Sequence, residues 1–85
     1  MPRTTNEWTS LDRTLMDLVM RQWNAMDDPP SIRAMARKIG VSAPRVMDLR
    51  DHRNGRPLVD EFCAICETIG IDAAHTLRTA LDDTK

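Results

Sequence analysis

Three groups of side chains in this sequence have types and spacing that invite chemistry. They are a Cys63-Ala-Ile-Cys66 pair, two histidines at 52 and 75, and a run of arginines between 33 and 56. A thiol pair at this spacing could cycle as a disulfide or supply half of a zinc site. A redox pair of this kind normally opens a helix beside a strand, and zinc needs two further ligands. The chain has no second such pair, and His52 and His75 stand apart from each other. Cys66 falls on one helical stripe with Phe62 and Ile69, so buried packing is its expected role, with no metal and no cofactor. No Ser/His/Asp or Cys/His constellation, glycine-rich phosphate loop or paired-carboxylate pocket occurs, so an enzyme is not expected.

The arginines carry more. The net charge is only −1, but it is unevenly spread. Residues 33–56 hold seven cations (Arg33, Arg37, Lys38, Arg45, Arg50, Arg53, Arg56) against Asp48 and Asp51, a local net of +5. Residues 1–32 net −2 and residues 57–85 net −4. A basic middle between acidic ends can face phosphate while the ends limit non-specific attraction.

The elements that must position this segment follow from apolar spacing. Leu11, Leu15, Leu18, Val19, Trp23 and Met26 recur as on one face of a helix, which Thr9 or Ser10 would cap and the Asp-Asp-Pro-Pro at 27–30 would end. Ser31 suits the start of a second helix with Ile32, Met35, Ala36 and Ile39 on one face, stopped at Gly40. Ser42 would cap a third helix, with Pro44 in its first turn and Val46 and Leu49 facing inward. A polar loop at 51–57 precedes a fourth helix over roughly Leu58–Ile69, which Gly70 ends. Asp72 would cap a fifth, with Ala73, Leu77, Ala80 and Leu81 on one stripe. No segment alternates as a strand should, so the chain reads as all-α. Trp8 and Trp23 are expected to pack on or near the first helix, and His75 to lie in solvent at the start of the last one.

Two helices joined by a tight turn need a small residue at the crossing, a turn residue tolerating positive φ, and apolar groups at fixed offsets. Ala36, Gly40, Val46 and Leu49 meet those needs. On these residues the stretch from Ser31 to about Leu77 resembles the helix-turn-helix domain of the phage repressor and Cro family, also called the Xre family. The resemblance is carried by SIRAMARKIGVS for the second helix and turn, APRVMDL for the third, and RPLVDEFCAICETIGID for the fourth. It implies a compact lambda-repressor-like bundle of about five helices, binding operator DNA as a homodimer and regulating transcription in a phage, prophage or bacterium.

The same resemblance assigns roles. The third helix, at about 43–51, would lie in the major groove, placing Ser42, Ala43, Pro44, Arg45, Met47 and Asp48 at base edges. Phosphate contacts would fall on Ser31, Arg33, His52, Arg53, Asn54 and Arg56. Ala43 and Pro44 stand where such domains often carry glutamine or serine, and they offer only apolar contact, for instance to a thymine methyl. Arg45 is the side chain suited to bidentate contact with guanine, and Asp48 could accept from cytosine or pair with Arg45 or His52. The alternative is a helix-turn-helix scaffold that binds a protein, as an antitoxin or anti-repressor partner would.

The expected layout is an N-terminal segment at 1–9 that could be flexible, one domain at 10–81 and a tail at 82–85. Its size suits a Cro-like or minimal repressor without a sensing domain. No apolar run approaches the ~20 residues of a membrane span, and the N-terminal residues lack the apolar core of a secretory signal. With two cysteines and no export signal, a cytoplasmic location is expected, nucleoid-associated when bound to DNA.

Overall fold

The computed structural model describes residues 7–84. Five helices follow one another: α1 (Ser10–Asn24), α2 (Ile32–Ile39), α3 (Ala43–Asp51), α4 (Val59–Ile69) and α5 (Ala73–Asp83). There is no strand among the described residues, so the all-α expectation stands.

Each helix begins where side-chain chemistry satisfies its free amides. At α1 the pairing is reciprocal: the Asp12 amide donates to Thr9 Oγ1 at 3.1 Å, and the Thr9 amide donates to Asp12 Oδ2 at 2.9 Å. Ser31 Oγ accepts from the Ala34 amide, Ser42 Oγ from the Arg45 amide and Asp72 Oδ1 from the His75 amide. Leu58 precedes α4 and has no hydroxyl or carboxylate, so Glu61 Oε1 reaches back to accept from the Leu58 amide at 2.9 Å. The stops are equally local. Gly40 at φ +78 ends α2 and Gly70 at φ +77 ends α4, both left-handed. His52 ends α3 at φ 60, a conformation that disfavours any side chain with a Cβ.

The core sits where α1, α4 and α5 meet the α2–α3 unit. Met16, Val19, Met35, Val46, Leu49, Ile65, Cys66 and Ala80 are essentially inaccessible to water. Helix α1 packs on α5, α4 and α3, and α2 packs on α3 and α4. Trp23 completes the α1–α2 connection: its ring is buried and its Nε1 donates to the Pro30 carbonyl at 2.8 Å. Trp8 is buried too, stacked at 5.0 Å and 32° on His52.

The expected boundaries shift slightly. Residues 1–6 of the anticipated N-terminal segment lie outside the described residues, but Trp8 and Thr9 belong to the packed body. Helix α5 extends to Asp83, past the anticipated edge at residue 81. On its stripe Ala80 is buried and Ala73 partly so, while Leu77 and Leu81 remain exposed. None of the described helices is long and apolar enough to cross a membrane.

Candidate nucleic-acid interface

The tight turn between α2 and α3 decides what the basic segment can present. Gly40 lets the chain reverse, the Val41 amide donates to the Ala36 carbonyl at 3.0 Å, and α3 starts two residues later at Ala43. Ala36, Val46 and Leu49 then face inward, and the 3.6-residue period turns Pro44, Met47, Asp48 and Asp51 away from the core. The starts of both helices, at Ser31 and Ser42, lie at the surface. Free amides and the helix dipole there favour anions.

Arg45 does not join that outward face. Its Nε donates to Glu61 Oε2 at 2.8 Å and one terminal nitrogen to Glu61 Oε1 at 2.7 Å. The remaining N–H groups donate to the carbonyls of Asn54, Gly55 and Arg56 at 3.3, 3.1 and 3.0 Å. A guanidinium has five N–H donors. All are used, so a bidentate reach to guanine would require breaking this set. In this structure Arg45, expected at a base edge, instead fastens the 54–56 loop to α4. Glu61 strengthens its hold on the proton, while the Arg45 hydrogen bonds hold the Glu61 carboxyl below its usual range against the opposing effect of burial.

The other anticipated contacts divide. Asp48 pairs with neither Arg45 nor His52; its Oδ1 accepts from Asn54 Nδ2 at 3.0 Å, which draws Asn54 into shaping the loop. Arg56 bonds Asp12 at 3.0 Å, across the fold on α1. Burial alone would raise the Asp12 carboxyl, but the Thr9 amide and Arg56 outweigh it and lower it. Arg50 and Arg53 share Asp51 at 2.9 and 3.1 Å, which holds that carboxyl near a pKa of about 2. His52 lies under Trp8, with Nε2 3.0 Å from Asp17 Oδ1 but without hydrogen-bond geometry. His52, Asn54 and Arg56 thus hold the loop in shape, and Arg53 is the loop cation turned farthest into solvent.

Among the described residues, Arg33, Arg37 and Lys38 carry no ion pair, although the other four cations of the basic segment all do. Arg33 and Arg37 line a shallow cleft of about 300 Å³ with Ala36, Val41 and Ala43, directly beside the start of α3. Sequence reasoning counted Arg37 and Lys38 in the charge but gave them no contact. It also missed Asp12 and Glu61 as internal anchors. The available signal was positional, since each acid stands three residues after the residue that caps its helix.

A second surface feature lies elsewhere. An apolar groove of about 680 Å³ runs between the start of α4 and α5, with Pro57, Leu58, Val59, Phe62 and Leu77 in its walls. Val59 is 80% exposed. Cys63 opens toward this groove, whereas Cys66 is buried and its thiol pushed up to about 11 by that burial. No group of His, Cys, Asp and Glu among the described residues has the arrangement of a metal site.

Compared with known proteins, the chain matches no family model, no curated protein and no solved structure.

Proposed function

We propose that this chain binds double-stranded DNA as a transcriptional regulator of the minimal-repressor kind. On this reading α2 and α3 form a helix-turn-helix whose third helix enters the major groove. The observation that carries the reading is the partition of the basic segment. Arg45 and Arg56 are each paired with a carboxylate of the fold and Arg50 and Arg53 share Asp51, while Arg33 and Arg37 project from α2 beside the start of α3, and they and Lys38 have no ion pair among the described residues. Unpaired cations beside an exposed helix start suit phosphates at the edge of a groove.

The bound form is a homodimer, because a single short helix covers only one half-site and two copies would read successive turns of the duplex. The second copy sits on the apolar groove. Four of the five exposed large apolar side chains, Leu58, Val59, Leu77 and Leu81, lie at the start of α4 or on α5. In the cell such a protein works in the cytoplasm, on the nucleoid.

The same groove favours the second reading, a scaffold that recruits a different protein. Selection of bound sequences from a random duplex pool separates the two. Enrichment of a motif with few fixed positions is expected for the DNA-binding reading. A pool that stays random through repeated rounds contradicts it.

A further inference from the structure

Resting on the proposed DNA docking, we infer that α3 reads the C5-methyl groups of pyrimidines in the major groove, through Ala43, Pro44 and Met47. Much of the polar capacity at the base-facing end of α3 is directed into the fold, which leaves the Ser42 hydroxyl proton and Asp48 Oδ2 beside an otherwise apolar face. Arg45 has spent all five of its donors on Glu61 and on three loop carbonyls. The Ser42 hydroxyl caps its own helix, accepting from the Arg45 amide at 3.2 Å. Asp48 is anchored to Asn54, and Asp51 is shared by Arg50 and Arg53. The apolar side chains at the surface of the first two turns are an exposed proline and a methionine exposed to 42%, with Ala43 packed partly on the core and only half accessible beside them.

Their spacing makes one surface. Ala43 and Met47 are four residues apart and Pro44 and Met47 three, so the three share a helical face. Arg33 and Arg37 flank that face at the Ala43 end and bring it against phosphate-lined DNA. In the major groove the one apolar group a base pair presents is the methyl at C5, carried by thymine and by 5-methylcytosine. Met47, long and flexible, can lie over such a methyl without fixed geometry. Burying one methyl corresponds to about fourfold in affinity.

Fluorescence anisotropy titrations with matched duplexes test this. One pair has alternating A and T or the same sequence with uracil for thymine. The other has a mixed sequence with cytosine or 5-methylcytosine. The wild-type chain should bind the methylated member of at least one pair about fourfold or more tightly. A gain in the first pair alone assigns the reading to thymine, and a gain in the second alone to 5-methylcytosine. Met47→Ala should reduce the difference, whereas Arg37→Ala should weaken both members and preserve their ratio. Equal affinities within both pairs would overturn methyl reading while leaving DNA docking intact. A wild-type difference that Met47→Ala leaves unchanged would also overturn it. Absence of binding to every duplex at low salt would overturn the docking reading as well.

Discussion

Arg45 on α3 and Glu61 on α4 form a two-pronged ion pair, 2.8 and 2.7 Å long, between helices whose backbones do not otherwise meet. Residues 54–56 are gathered over it by the same guanidinium. The pair thus adds a tie between α3, which packs on α2 and α1, and the start of α4, and it is one of the anchors of the loop.

Removing it should be costly. Glu61 is almost wholly buried and Arg45 mostly so, and removal of the cation strands a carboxylate and three carbonyls. Arg45→Ala is expected to lower unfolding stability by about 2–3 kcal/mol. Arg45→Lys should recover little, because an ammonium cannot span both carboxylate oxygens and the loop at once. Urea denaturation of the two variants against wild type checks both.

The fold was largely legible because its determinants are local. Thr9, Ser31, Ser42 and Asp72 each cap the helix they were expected to start, and Gly40 and Gly70 stop theirs. The inward positions of Met35, Ala36, Val46, Leu49 and Cys66 follow from helical periodicity alone. The site was less legible because side-chain partners are set by tertiary geometry. Nothing near Arg45 in the chain announces that Glu61, sixteen residues on, will take its donors. The apparent suitability of Arg45 for guanine came from residue type, and the same fork geometry fits a carboxylate equally well. Arg56 and Asp12, forty-four residues apart, illustrate the same limit.

Acid should weaken the fold through these pairs. Glu61 and Asp12 have folded pKa values below their ordinary 4.5 and 3.8. Groups lowered in this way stabilise the fold fully above their unfolded values and cease to do so as pH falls through the folded ones. Urea midpoints should therefore hold near neutrality and drop from about pH 5 downward. Glu61→Gln should start from a lower midpoint at neutral pH and show a shallower acid decline.

Dimerisation should depend on the groove between α4 and α5. Val59 is its most exposed apolar side chain, so a charge there disturbs association without entering the core. Val59→Asp is expected to sediment as a monomer at concentrations where wild type is dimeric. Its urea midpoint, measured at low protein concentration, should change by less than about 0.5 kcal/mol in free energy. A monomeric wild-type chain at all accessible concentrations would remove the groove as a self-association surface.

The most direct test of DNA docking by α2 and α3 is the salt dependence of binding to a mixed-sequence duplex, for wild type and for Arg37→Ala. Wild type should bind at low salt, with affinity falling steeply and linearly on logarithmic axes as salt rises. Arg37→Ala should bind more weakly and reduce that slope by about 1, as expected when one fewer phosphate is neutralised. No binding at low salt, or binding with a slope that Arg37→Ala leaves unchanged, would contradict docking through this face.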